Sequence, residues 1–554
     1  MKYITKIFLV FAVLFVSSCN LLELEDKLSD PNAVTADNAE LDLVMNNVVL
    51  EFVEFVDEAS DETMPYVRLT AMDGGNRYDN QDGPSSFDFI WGKAYSELMP
   101  DINLVISIAE ESGATVHAGM AKTIKAYIMM TLVDLFGDVP YSEAFLGVEK
   151  PSPKADSGAS VYDAALALLN SATDDLKNPV GSVPGDIYYG GNAGKWAKLA
   201  NTLKLRYHVN TKLVGGTGAG AKSAIDAGVI TDIADDFQFQ YGTNRENPDA
   251  RHPYYSDGYE NGGPSWYLSN YYMWLMLSGS EKQTEDPRLR YYFYRQDCDE
   301  NGEDFFTLDC QAGPYPSHWP LDAYPYCTAS SDLFGDPNMQ YGGYWGRDHG
   351  NDDGIPPDDL KKTAWGLYPA GGKFDADDCS QVSNNGVDGG RGAGIQPIML
   401  ASWVHFMRAE AALTMNTGED ARAQLEMGVR KSISKVMGFK SVSAVDPAFE
   451  PTTAQVDAYV AEVLGQFDAA TDKMNVVMKE YFLALQGNGL EAYNGYRRTC
   501  KPAAMQPTRE PDPGPFARSF WYPASYVNRN ANASQKSSVG QPVFWDTNPD
   551  GCVN

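Results

Sequence analysis

The sequence predicts a mostly α-helical protein with helices toward both ends, at least one pair of them tetratricopeptide-like, and an irregular, loop-rich lobe between. Three observations predict it. Apolar residues recur at three and four positions near both ends of the 554-residue chain, the period of amphipathic helices. Arg408-Ala-Glu-Ala-Ala-Leu followed by Gly418-Glu-Asp-Ala-Arg-Ala-Gln-Leu reads as a helix, a tight turn and a helix with small contacts, in the manner of a tetratricopeptide unit. Residues 251–368 lose that period: about a fifth of the chain, they hold five of 10 Trp, 15 of 32 Tyr and 10 of 32 Pro. Proline and glycine break the backbone there too often for long elements, so the irregular lobe is expected over 251–395.

Taken in order, helices are expected from Asp37 to Val56, Phe87 to Ala109, Ala118 to Phe136, Ser160 to Leu176, Asn192 to Leu213 and Ala219 to Ala227. The third is the clearest, with Met120, Ile124, Tyr127, Ile128, Thr131 and Leu135 on one face and Gly137 as its stop. After the lobe they resume from Gln396 to Met415, Glu419 to Met437, Thr453 to Leu464 and Ala469 to Gln486. Residues 31–554 are expected to form one domain.

The N-terminus carries an export signal. Lys2 and Lys6 flank the apolar run Ile7 to Val16, which is too short to span a bilayer. Val16-Ser17-Ser18-Cys19 resembles a bacterial lipobox, so residues 1–18 are expected to be removed and Cys19 acylated as the mature first residue. Residues 19–30 form an acidic tether; Glu23, Glu25 and Asp26 resemble the signal that sends some bacterial lipoproteins to the outer face of the outer membrane. Forty-three Lys plus Arg against 75 Asp plus Glu leave a net charge of −32, a field that repels phosphate backbones and argues against nucleic-acid partners. Six further cysteines, 298, 310, 327, 379, 500 and 552, suit disulfides in an oxidising location, and Cys298 with Cys310 is the first pair expected.

The stretch Met130-Thr-Leu-Val-Asp134-Leu-Phe-Gly137-Asp138-Val-Pro140-Tyr141-Ser-Glu-Ala144 resembles a signature of the SusD/RagB family of nutrient-binding outer-membrane lipoproteins. It is joined in order by Asp30-Pro31-Asn32, Asp286-Pro287-Arg288-Leu289, Arg408-Ala-Glu410-Ala and Lys479-Glu480-Tyr481. Leu490-Glu491-Ala-Tyr493-Asn494 with Arg497-Arg498-Thr499, then Tyr522-Pro523 and Val543-Phe-Trp545-Asp546, complete the match over nearly the whole mature chain. The resemblance implies four tetratricopeptide-like helix pairs, an oligosaccharide ligand, and a TonB-dependent SusC-like transporter that the protein caps as a lid. A peptide-binding branch of the same family is the alternative. Most of these signature residues are expected to brace the fold rather than touch ligand.

The ligand site is expected on the loop Asp73, Asn76, Arg77, Tyr78, which joins glycine freedom to hydrogen-bonding side chains and a ring, and on Trp266, Trp319, Tyr344 and Trp345 of the lobe, each flanked by Gly, Pro, Ser or His. In glucan-binding relatives the loop stretch contributes to the ligand site. Trp91, spaced with Tyr95 and Leu98, reads as core. No catalytic residue is assigned. The six histidines form no His-Glu-x-x-His, no Gly-x-Ser-x-Gly elbow occurs, and Gly190-Gly-Asn-Ala-Gly194-Lys195-Trp196 fails as a P-loop because Trp stands where Ser or Thr must hold magnesium. A surface glycoside hydrolase needs only two carboxylates, which 75 acids cannot exclude by counting. No cofactor is required. Asp297, Asp299, Asn301 and Glu303 fit the first half of a loop for structural Ca2+, although Leu308 replaces the bidentate Glu and a plain acidic turn explains the same residues. Asp546, Asn548 and Asp550 repeat the spacing with an intervening proline.

Overall fold

The computed structural model describes residues 40–72, 74–260, 265–296, 316–319, 344–351 and 362–554. Their architecture is mostly helical. Helix α1 (Leu41–Asp61) leads to α2 (Asp88–Gly92), which continues through a wider π-turn at Lys93–Leu98 into α3 (Met99–Ser112). Next come α4 (Thr115–Phe136), α5 (Gly158–Lys177), α6 (Ala193–Asn210) and α7 (Gly218–Asp226). Short helices α8 (Pro253–Glu260), α9 (Asn270–Met276) and α10 (Leu289–Tyr292) serve the lobe. The second helical half comprises α11 (Ala401–Thr414), α12 (Ala421–Met437), α13 (Thr453–Ala469), α14 (Lys473–Leu483), α15 (Gly489–Thr499) and α16 (Ala524–Arg529).

Successive helices pack as pairs. Helix α4 lies against α3 and α5, α5 against α6, and α6 against α7; in the second half α11 pairs with α12, α12 with α13 and α13 with α14. All of α4 except Thr115 and Lys125 is buried, and the charged residues so enclosed are paired, Lys122 with Asp175 and Asp134 with Arg206. The starts are written in side chains: Ser157, Asn192, Thr217, Asp420, Asp472 and Asn488 each accept a first-turn N–H, and Thr452 with Gln455 forms a capping box. Gly137 ends α4 at φ +81°, a conformation that side-chain-bearing residues resist.

Two expectations need correction. The helix expected from Gln396 begins at Ala401, because Ile395–Met399 is a strand, β6, paired antiparallel with β3 (Phe237–Gln240); Pro397 inside that stretch cannot donate to a helix. The helix expected from Ala469 is split at residues 470–472, where Asp472 caps α14. Two further short antiparallel pairs occur among the described residues: β1 (Val139–Pro140) with β2 (Ala155–Asp156), and β4 (Phe293–Tyr294) with β5 (Ala364–Trp365).

Ion pairs run through this core, and the signature residues make them. Asp134 accepts from Arg206 (2.9 Å), Asn494 (2.9 Å), Trp545 (3.0 Å) and the Tyr162 hydroxyl, while Arg206 also reaches Glu491 at 2.5 Å. Glu410 takes Arg498 in a bidentate pair at 2.9 and 2.8 Å and Lys212 at 2.7 Å. Asp286, Arg288, Tyr459, Glu480 and Lys282 form a third cluster. Burial would raise the Glu410 carboxyl, but Arg498 and Lys212 outweigh it and hold it at about 2.

A disulfide joins Cys500 to Cys552, with Cα atoms 5.4 Å apart, and ties the C-terminus to the end of α15. Cys379 is disulfide-bonded as well. The expected Cys298–Cys310 pair, the acylated Cys19 and the tether lie outside the described residues. Among the described residues, no helix is long and apolar enough to cross a membrane.

Candidate functional site

The loop after Ala71 leaves a short antiparallel contact in which Thr70 pairs with Leu268 and the Ala71 N–H donates to Tyr267 O at 2.9 Å. That register places residue 72 opposite Trp266. Three more backbone ties gather distant segments here: Gly350 N–H to Met72 O (3.0 Å), Arg509 N–H to His349 O (2.9 Å) and Tyr78 N–H to Pro513 O (3.0 Å). Trp319 joins them through its indole N–H on Thr508 O at 3.0 Å, and the His318 ring lies 2.8 Å from the same carbonyl. The turn itself depends on Gly75, where a Cβ would meet Asn80 Oδ1 at 2.4 Å.

Around this floor stands a rim of polar side chains. Asn76 donates to Glu510 (3.4 Å), and Arg77 donates to Asp79 (3.1 Å) and to Asp512 O (2.7 Å). Asp79, Asn80, His318 and Asp512 face solvent. Trp266 is half-buried, its ring edge-on to Tyr254 at 5.7 Å and to Trp365 at 5.5 Å, while those two stack on each other at 4.5 Å.

Beside Trp266 lies the carboxylate-rich end of α1. The Tyr254 hydroxyl donates to Asp61 at 3.1 Å, and the Tyr66 hydroxyl to Asp82 at 3.0 Å. Burial, then mutual repulsion, pushes the Asp57 carboxyl up to about 8, Glu58 to about 7 and Glu62 to about 9. Asp82 rises to about 6, chiefly through burial. These groups are not a metal cradle: among the described residues, no set of three or more His, Cys, Asp or Glu is arranged to hold an ion.

The expected site residues divide. Asn76 and Arg77 stand on the rim, while the Trp266 ring packs against Tyr254 and Trp365 on the strand contact from which that loop departs. Four rings correct the expectation, because they have no free face for a ligand. Tyr78 is 1% exposed, its hydroxyl held between Arg68 (3.1 Å) and His349 (3.0 Å). Trp319, Tyr344 and Trp345 are 2%, 0% and 1% exposed. The Arg295 guanidinium covers the Tyr344 ring at 4.9 Å. Flanking Gly and Pro report where the backbone turns, not whether the ring points outward. Asp73, and the four candidate calcium ligands Asp297, Asp299, Asn301 and Glu303, lie outside the described residues. The second acidic spacing is an ion-pair network instead, with Arg518 on Asp546 at 2.7 Å and on Asp550 at 3.1 Å. Sequence reasoning missed the segment 505–514, which supplies Thr508, Arg509, Glu510 and Asp512; its run Arg509-Glu-Pro-Asp-Pro-Gly, dense in turn formers and charge, was the available signal.

Comparison with known proteins agrees with this architecture. A family profile described as "Starch-binding associating with outer membrane" matches residues 31–308, and a second, "Susd and RagB outer membrane lipoprotein", matches residues 393–539. Among solved structures, a chitin-binding protein superposes with a TM-score of 0.66 at 19% identity, covering 92% of this chain and 99% of its own. A SusD/RagB family protein from Bacteroides thetaiotaomicron gives 0.64 at 18% identity, covering 92% and 100%. A SusD homolog from Bacteroides fragilis gives 0.61 at 18%, covering 92% and 99%. No curated protein matches in sequence. With one profile spanning half the chain and the other much of the rest, the chain belongs to the SusD-like family of outer-membrane lipoproteins.

Proposed function

We propose that the protein captures an oligosaccharide at the cell surface and passes it to a TonB-dependent, SusC-like transporter, which it covers as a lid while Cys19 anchors it in the outer membrane. The observation that carries the reading is the partly exposed Trp266 ring, on a strand contact with the segment that leads into the polar loop of Asn76, Arg77, Asp79 and Asn80. An aromatic face covers the apolar side of a pyranose, and fixed amide, guanidinium and carboxylate groups hydrogen-bond its hydroxyls. Family membership supports binding over catalysis, and a structural neighbour that binds chitin fits a saccharide ligand.

Calorimetric titration with panels of neutral oligosaccharides and of peptides tests this. Trp266→Ala is expected to weaken oligosaccharide binding at least tenfold, about 1.4 kcal/mol, while Trp266→Leu, which keeps apolar packing on Tyr254 and Trp365, should weaken binding with less loss of stability. Unchanged affinity would remove Trp266 from the site. Binding confined to peptides, or release of new reducing ends, would overturn the glycan-capture reading. In cells, Cys19→Ala is expected to release the protein from the membrane and impair uptake, while the purified soluble form keeps its affinity, because the tether acts through local concentration. Normal uptake by that variant would count against the lid.

A further inference from the structure

A second cleft, of about 650 Å3, lies where the Gly137–Asp138 turn meets the segment 519–544. We propose that this cleft is a subsite for the carboxylate of an acidic saccharide, with Lys536 as its counter-cation. The saccharide part rests on the glycan-capture reading; the anion part does not.

The side chains set up an anion's environment. Lys536 Nζ donates to Ser519 Oγ at 2.7 Å and lies over the Tyr522 ring at 4.8 Å. No carboxylate among the described residues forms an ion pair with it, although acids outnumber bases 75 to 43 along the chain. Behind it is a second cation without an acid. Among the described residues the buried Arg497 donates to Arg518 O (2.6 Å), Asp134 O (2.7 Å) and the Asn494 amide oxygen (2.7 Å), and its guanidinium stacks on Tyr493 and Trp545. Two cations compensated by neutral groups and rings leave a local positive potential that a desolvated anion satisfies. Asp138, the acid that faces them, accepts from the Gly158 N–H at 2.8 Å and keeps its charge, so one carboxylate stands against the two cations. Ser534, Ser537 and Gln541 line the remaining wall, suiting the hydroxyls of a sugar that carries the carboxylate. Burial, with repulsion from Arg497, pushes the Lys536 ammonium down to about 7, so an anion that restores its charge binds more tightly as pH falls toward 6.

The test is titration of the purified protein with sodium glucuronate, glucose and sodium sulfate at pH 6 and pH 8.5. Glucuronate is expected to bind at least tenfold more tightly than glucose or sulfate at pH 6 and to weaken severalfold at pH 8.5. Lys536→Met should abolish the preference. Lys536→Arg should keep it at both pH values, since guanidinium does not deprotonate in this range. Lys536→Met should keep the affinity for neutral oligosaccharides, which separates this cleft from the oligosaccharide site. Equal affinity for glucuronate and glucose, sulfate binding as tightly as glucuronate, or an unaltered Lys536→Met variant would overturn the proposal.

Discussion

Arg498→Met is expected to destabilise the protein by about 3–5 kcal/mol, read as a lower midpoint in denaturant unfolding at pH 7. Arg498 and Glu410 are both 0% exposed and bound bidentately, so removing the guanidinium strands a carboxylate in the interior, and stranding a buried charge costs about that much. Methionine fills similar volume, which confines the change to charge and hydrogen bonds. Lys212 still reaches Glu410 at 2.7 Å, which places the loss toward the lower end of that range. The double variant Glu410→Leu with Arg498→Met removes both charges and should recover part of the loss, because the strong penalty belongs to the half-broken pair rather than to the pair's net contribution. A midpoint within experimental error of wild type for Arg498→Met would show that the buried pair contributes nothing.

That pair also shows why the fold was legible and the site much less so. Helix positions follow from a local period and from caps such as Asp420 and Thr452, which act within four residues of themselves. The signature residues were expected to brace the fold, and Asp134, Glu410, Arg497 and Arg498 do so from the interior. The candidate site is different, because it draws on segments around residues 76, 266, 318 and 510, joined by backbone ties that no local pattern encodes. Residue type singled out Asn76, Arg77 and Trp266, which are partly exposed, yet it could not separate Trp266 from the buried Trp319 and Trp345. All three sit among turn formers, and only tertiary packing decides which ring is covered. The carboxylates at the end of α1 were readable as the run Asp57-Glu-Ala-Ser-Asp61-Glu62, but not the burial that raises them or the approach of Asp82 to Glu62.

The double variant Asp57→Asn with Glu62→Gln is expected to be more stable than wild type, by a margin that grows with pH. In the folded protein Asp57 rises from 3.8 to about 8 and Glu62 from 4.5 to about 9. The sign follows from proton counting. Between the ordinary carboxyl range and these raised values the folded protein holds protons that the unfolded chain has released, so stability falls as pH rises through that interval. The neighbours share the strain, with Glu58 and Asp82 also raised and Asp61 hydrogen-bonded to Tyr254, so the group titrates collectively. If it holds one net extra proton, the two pH units from 6.5 to 8.5 change stability by about 2.7 kcal/mol. Other groups run the opposite way: Lys536 is pushed down to about 7, and the buried His252 to about 3, each favouring the folded state as pH rises. The difference between variant and wild type cancels those contributions, and it is therefore the quantity to measure, by denaturant unfolding at pH 6.5 and pH 8.5. The neutral amides keep the side-chain volumes and remove the repulsion, so the margin should widen by roughly 2–3 kcal/mol across that interval. A margin that stays constant with pH, or a variant less stable than wild type at pH 8.5, would show that these carboxyls are solvated and titrate normally.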